Sequence, residues 1–461
     1  MVTEVELFAT SPRMLLGLLS AKLFNDAVAA GYTDSLASSM DVAVRAMNGA
    51  NPIAIMLDNV YTNVDYAATV LNNDNLEAPQ AATILNQTAL RISKIASIFN
   101  SPNLSASKAV SILKDANLPA DRVQTILYTM INNGYYDKLF SIITYGASDY
   151  SVTASTTLTT GVNRYRTLSI SSGVTLTLGA GPGVIIADTI NNSGTIASGW
   201  VKGAGGAAGA SGAGAGGAGR GAVIILARSI TVGTITANGA AGGNGSTVAA
   251  SAAGGAGGAG NFWLLSGDSV PSGGNGGSDV ACNYCGLGKP NGGGGGGSRA
   301  TAESGGAGGT ATTTTFTDAS SLFTSLMKAA VDWWLVNVAG KTPTSTTSFP
   351  SLGGSGGGGG GAYDGYEASG GGGGGGGQII IYGTSITAGT CQAVGGNGGN
   401  GGAEGAYDTP GGGGGGGIIY VFYKSVTGTF TYDVSGGSPG SGDYAANATA
   451  GGAGVFRAIA I

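Results

Sequence analysis

What most restricts the fold of this chain is that its glycine comes in tracts. Gly370–Gly377 is an unbroken run. Gly254-Gly-Ala-Gly-Gly-Ala-Gly260 and Gly395-Gly-Asn-Gly-Gly-Asn-Gly-Gly402 keep a period of three, and further tracts recur from 203–221 to 451–454. An extended threefold helix has three residues per turn and rises ~3.1 Å per residue. A period of three therefore puts each Ala or Asn on one edge and leaves bare backbone on the others. Bare backbone lets neighbouring chains come close, and its N–H and C=O groups need partners once buried. Ordering glycine is entropically costly, so a lone tract is not expected to hold its shape, whereas many packed together can. The apolar strands between tracts are then expected to form a layer that caps the packed glycine.

The composition agrees with an ordered chain. Glycine supplies 91 of 461 residues, about three times its usual share. Charged residues make up 10 % and hydrophobic ones 42 %, and mean hydropathy is +0.20. That is the reverse of the low-apolar, high-charge profile of disorder. Proline is sparse and no strict G-X-Y run occurs, which excludes collagen. The net charge of −5 is spread along the chain, so no basic face points to nucleic acid. The N-terminus MVTEVELFATSPRMLLGLLSAKLF is a poor secretory signal, because acids precede Arg13 and Ser20 and Lys22 interrupt the apolar run. No stretch of 18 apolar residues predicts a membrane span. A surface-type composition with no export signal suits a component that a virus particle carries out of the cell.

Two periodicities divide the chain, and the expected class is α + β multidomain. Residues 1–147 read as a helical domain. Within about 48–131 a fourteen-residue repeat aligns Ile53–Leu57, Ala67–Leu71, Ala81–Leu85, Ile95–Phe99, Ala109–Leu113 and Val123–Leu127. Two heptads would suit one long coiled coil, but Pro52, Pro79, Pro102 and Pro119 fall between blocks. Proline costs about 3 kcal/mol inside a helix, so the repeat predicts a stack of short helices, each burying its apolar pair on the next. Longer helices are expected around 12–30 and 34–47. From Ser151 the period becomes two. Residues 148–200 read as a β-strand region and 201–461 as a glycine-rich β domain with a helical insert at 318–339. The unit Val223–Gly239 (strand, Gly-Thr turn, strand, glycine) recurs at Ile379–Gly395 and Ile418–Phe430, with an earlier form at Val184–Gly199. Val455–Ile461 reads as a closing strand.

The units GGGGGGGQIIIYGTSITAGT and GGNGGNGG resemble the glycine-rich tail-tip adhesins of certain phages. Together with the insert VDWWLVNVAGKTPT (331–344), they are also similar to glycine-rich proteins of hyperthermophilic archaea and their viruses. The resemblance covers roughly residues 150–461. It implies a polyglycine-II sandwich with variable loops at one end that bind the host. The N-terminal helical repeats are not part of the adhesin pattern.

Motifs for chemistry are thin. Glycine-rich phosphate loops need Gly-Lys-Ser/Thr before a helix, and Gly340-Lys341-Thr342 follows one. Gly273-Gly-Asn-Gly-Gly-Ser278 has Ser where a calcium nonapeptide repeat needs Asp. With no histidine, nucleophile–His catalysis is ruled out. Cys282-Asn-Tyr-Cys285 lacks further zinc ligands apart from Cys391, and it reads as a local disulfide or a pair of thiols pinning a loop. No cofactor and no enzyme activity are expected. A carboxylate pair in a polysaccharide-degrading spike remains an alternative, as does a self-assembling extracellular filament or sheath.

Between tracts lie Tyr363, Asp364, Tyr366 and Glu367, then Tyr407 and Asp408, then Asp443 and Tyr444. Flat rings stack on sugars and carboxylates accept from hydroxyls. These residues are the candidate receptor contacts of a virion fibre or spike adhesin on the virion surface. Its helical domain would join other virion proteins, its C-terminal loops would meet a host glycan or protein, and an oligomer is expected in the particle.

Overall fold

The computed structural model describes residues 64–461 apart from 75, 89, 180, 182, 209–212, 246–254, 278–286, 297–304, 362–368, 403–407 and 444. The chain forms two compact units. One is Met1–Tyr145 with Met327–Ser348, and the other is Gly146–Leu326 with Phe349–Ile461. The helices expected at 12–30 and 34–47 and the repeat block Ile53–Leu57 lie outside the described residues.

The first unit contains α1 (Val64–Leu71), α2 (Ala78–Gln87), α3 (Ile92–Asn100), α4 (Ala106–Lys114), α5 (Ala120–Asn132) and α6 (Tyr136–Ile143). The first five start fourteen residues apart, at Val64, Ala78, Ile92, Ala106 and Ala120. Prolines sit where the helices start. Pro79 lies in the first turn of α2 beneath a Glu77–Gln80 capping box, and Pro119 is the N-cap of α5. Helices pack on the next but one, α1 on α3 and α3 on α5, α2 on α4 and α4 on α6. Equivalent positions of each block are buried: Ile84 and Leu85, Ile98 and Phe99, Ile112 and Leu113, Ile126 and Leu127.

A second periodic device was not foreseen. Each turn leaves carbonyls without helical partners, and a cation from further along the chain takes them. Lys108 donates to Asn73 (3.1 Å) and Leu76, Arg122 to Thr88 (3.3 Å), and Lys138 to Ser101 (3.1 Å) and Leu104. Lys341 closes the series on Asp115 (2.7 Å) and Leu118.

The insert forms α7 (Ala319–Asn337). Only its first part groups with the second unit, and Met327 onward belongs to the first. There the buried Asp332 carboxylate accepts from Gln124 (2.7 Å), Tyr128 (2.7 Å) and the Thr347 N–H (2.6 Å).

The second unit is built on two parallel sheets. The larger takes β1 (Tyr150–Val152), β3 (Val162–Ile170), β5 (Gly183–Asn192), β9 (Val223–Thr231), β13 (Gln378–Thr387), β15 (Ile418–Thr427) and β17 (Val455–Ala460), side by side in that order. The smaller takes β2 (Thr156–Thr157), β4 (Thr175–Leu178), β6 (Thr195–Ser198), β10 (Thr234–Thr236), β14 (Thr390–Gln392) and β16 (Thr431–Asp433). The chain thus winds in coils: a long strand, a turn, a short strand in the second sheet, and a return. One Gly-Thr turn shows why glycine is needed there. Gly233 sits at φ +55°, and a Cβ on it would lie 2.4 Å from the Asn192 carbonyl oxygen.

Stacking the coils aligns like residues. Ile185, Ile225, Ile381 and Val421 form one row of the larger sheet. Leu176, Ile196, Ile235 and Cys391 form one row of the smaller. Both rows belong to one buried core. The opposite face of the larger sheet is also buried near the glycine, where Phe323 of α7 packs its ring 4.4 Å from Tyr382 and 6.0 Å from Phe422. Two two-stranded sheets complete the described pairings: β7 (Val201–Gly203) antiparallel to β8 (Gly219–Arg220), and β11 (Gly260–Leu265) parallel to β12 (Ala311–Phe316).

Early returns are short, as from Leu178 to Gly183. Later ones carry the glycine, from Gln392 to Ile418 and from Asp433 to Val455. Tracts therefore extend from the coils rather than lying beneath a strand cap.

Candidate functional site

The tract Gly370–Gly377 shows how the site is held. Gly370, Gly373 and Gly376 donate to Thr409, Gly412 and Gly415 (2.8, 2.9 and 3.0 Å). Gly371, Gly374 and Gly377 donate to Gly243, Ala240 and Ala237, and Gly372 and Gly375 to Gly358 and Ser355. Every third residue addresses the same neighbour, the first in parallel sense and the other two antiparallel. Its carbonyls receive likewise, Gly371 and Gly374 from Gly399 and Gly396, and Gly372 and Gly375 from Gly217 and Arg220. Backbone groups that would be costly to bury unpaired are thereby satisfied by other backbone, apart from the Gly376 carbonyl, which accepts from Asn291 Nδ2 at 2.8 Å.

Close approach is what makes the residue glycine. A Cβ on Gly373 would lie 1.8 Å from the Gly396 carbonyl oxygen, and one on Gly371 would lie 2.0 Å from that of Ala215. Unbroken runs are buried throughout, as at 370–377 and 411–417, whereas Asn397 and Asn400 of the period-three tract are exposed. These asparagines cap the periphery: Oδ1 of Asn397 accepts from Ser438 N–H and Oδ1 of Asn400 from Ser441 N–H, each at 2.9 Å.

Antiparallel tract pairs turn back through the connecting segments, and the described residues flanking these segments are neighbours. Gly361 donates to Gly296 and Gly296 to Gly370, Gly360 to Gly214, Gly277 to Pro410, and Gly401 to Ser441. Ser369 and Thr409 share a hydroxyl contact of 2.8 Å. The described residues that flank 209–212, 278–286, 297–304, 362–368 and 403–407, with those at 441–443, therefore lie together at one end of the tract bundle.

This gathers the flanks of all three candidate loops, which sequence alone had left separate. Tyr363, Asp364, Tyr366, Glu367, Tyr407 and Tyr444 lie outside the described residues, as do Cys282 and Cys285. Asp443 is exposed at the root. Asp408 is 5 % exposed, packed beside Gly401 and Gly442, so its place in the structure is within the root rather than on the free surface.

Three described carboxylates pair with arginines. Asp149 meets Arg166 through Nε (2.8 Å) and Nη2, Asp188 meets Arg228 in a two-bond fork (2.8 and 2.7 Å), and Asp268 meets Arg457 (2.7 Å). The guanidinium of Arg166 holds Asp149 down at about 2. Burial pushes the Cys391 thiol up to about 12. Among the described residues no cluster of three or more His, Cys, Asp or Glu side chains is placed to hold a metal ion, and no helix is long and apolar enough to cross a membrane. No protein family, curated protein or solved structure matches the chain.

Proposed function

We propose that this chain is a non-enzymatic surface protein of a virus particle, a fibre or spike adhesin that meets the host cell through the loops at one end of its glycine tracts. On this reading the tracts are polyglycine-II helices, and the first unit is a short-helix repeat that attaches to other virion proteins. The threefold hydrogen bonding around Gly370–Gly377 supports the first of these. The fourteen-residue spacing of helix starts supports the second.

The observation that carries the functional reading is the common root of the loops. The few polar side chains buried in the bundle, such as Asn291 and Ser355, are bonded to backbone carbonyls, so chemistry is left to the segments that join the tracts. Loops held by a rigid scaffold are where binding residues concentrate, and 362–368 alone brings two tyrosines and two acids. An enzyme acting on polysaccharide would need a pair of available carboxylates. Asp149, Asp188 and Asp268 are each held by an arginine instead.

Immunogold imaging of particles produced with this gene, using an antibody to residues 148–461, should label projecting fibres or spikes. Purified protein should also compete with particles for host cells, and replacing 362–368 and 403–407 by Gly-Ser segments should abolish the competition with no change in fold by circular dichroism. Unlabelled particles, or full competition by the loop-replaced protein, would overturn the reading. Sugar release from host envelopes would overturn the non-enzymatic part.

A further inference from the structure

The last repeat of the helix stack departs from the others at one place. The second residue of each described block is Ala68, Ala82, Ala96 and Val110, all apolar and buried, and then Gln124. Packing one repeat on the next calls for no amide there. Gln124 is buried all the same, and its amide nitrogen donates to Asp332 Oδ1 and to the Ser345 carbonyl, both at 2.7 Å. One turn further along α5, Tyr128 donates to Asp332 Oδ2, which also accepts from the Thr347 N–H.

The same segment continues the series of cations. Lys108, Arg122 and Lys138 are each the third residue of their helix, α4, α5 and α6. Each reaches the turn after the helix three before its own, which is α1, α2 and α3 in that order. The turn after α4 is next, where Asp115 and Leu118 stand fourteen residues beyond Ser101 and Leu104. After α6 the chain passes to β1 at Tyr150, so no adjacent repeat supplies the cation. Lys341, which follows α7, takes both carbonyls from 226 and 223 residues away. By this count it stands where a seventh repeat would place its cation.

We propose that Met327–Ser348 is the capping repeat of the helix stack, and that α5 and the turn before it are held closed only when this segment is in place. Terminal repeats are atypical because no neighbour covers their outer face. Here the last repeat is adapted to a cap brought from elsewhere in the chain. The polar groups are satisfied only together. Without the segment, the Gln124 amide and the carbonyls of Asp115 and Leu118 lose these partners. Without Gln124, the buried Asp332 carboxylate loses one of its three donors. Each loss costs the stack more than the bond was worth. The cap is encoded between β12 and β13, so the unit that comes first in the sequence is completed only after most of the chain has been made. This inference is independent of the adhesin reading.

Native-state hydrogen exchange of the full chain tests this, because it reads local opening element by element. Gln124→Ala gives the last repeat the residue its predecessors carry. It should speed exchange of the α5 amides at least about tenfold and leave the strands of the larger sheet unchanged. Lys341→Met should do the same for the turn between α4 and α5. Lys341→Arg should keep the parental rates, because Arg122 fills the equivalent place on the turn after α2. A stack that closes by itself would tolerate the alanine or gain from it, so unchanged or slower exchange of α5 in Gln124→Ala would overturn the proposal. Acceleration confined to 327–348 would overturn it too. Should the alanine variant fail to fold, Lys341→Met against Lys341→Arg decides alone, and equal rates in the two would sink the idea.

Discussion

At the residue scale, two neighbours in one tract separate the roles that glycine and asparagine play. A Cβ on Gly398 would sit 2.0 Å from the Gly411 carbonyl oxygen, and backbone on both sides leaves nothing that can swing away. Asn397, one residue earlier, is exposed, and its amide oxygen caps the Ser438 N–H at 2.9 Å. Gly398→Ala should therefore cost at least the ~1–3 kcal/mol of an overpacked core. Asn397→Ala loses one hydrogen bond whose donor water can reach, at most about 1 kcal/mol. Denaturant unfolding of the two variants measures the difference, and equal midpoints would mean the tracts are spacers. Much of this was legible in the sequence. The period of three in GGNGGNGG marks an edge that faces solvent, and the unbroken run at 370–377 marks a tract surrounded on every side.

At the scale of elements, the fourteen-residue spacing and its prolines predicted short helices correctly in kind, because hydrophobic period and breakers are local signals. The cations that cap the turns were less visible, although Lys108 and Arg122 keep the same spacing of fourteen. Their partners lie more than thirty residues away (|i−j| = 35, 34 and 37 for Lys108, Arg122 and Lys138), so no local pattern announces them. Lys108→Met should cost about 1.5–3 kcal/mol, the worth of hydrogen bonds from a charged donor. Lys114→Met, on the exposed end of the same helix, should stay within about 0.5 kcal/mol. Denaturation followed by far-ultraviolet circular dichroism decides between them. The paired parallel sheets were not legible at all. The long strands start at Tyr150, Val162, Gly183, Val223, Gln378, Ile418 and Val455, so a spacing of 40 residues occurs twice but not in succession. The other intervals differ, so the strand units look like isolated repeats instead of successive turns of one winding.

For the whole molecule, the largest shifts among buried groups of the second unit give a direction of pH sensitivity. In the second unit the strongly shifted buried groups are neutral ones. Desolvation raises Tyr165 to about 12, with Tyr150 adding to it. Burial raises Cys391 to about 12 from 9.0, and burial also raises Tyr420. For each, the unfolded chain loses its proton first as pH rises. The stabilisation is therefore complete below about pH 9 and is lost progressively as pH climbs through 12. On the acid side the shifts are downward. Asp149 is held at about 2 by Arg166, and Asp318 is lowered chiefly by its backbone bond from Ser321. Their contribution is present above about 3.8 and fades only as pH falls toward 2. Both are exposed, so little stability is at stake there. Thermal melts should therefore give a plateau from about pH 4 to 9, a small decline at pH 3 and a larger one, more than about 5 °C, by pH 11. Tyr165→Phe should flatten part of the alkaline limb, because a ring of the same shape then has no proton to lose. A steep acid limb with a flat alkaline one would show instead that carboxylates, and not packed backbone and apolar coils, hold the second unit together.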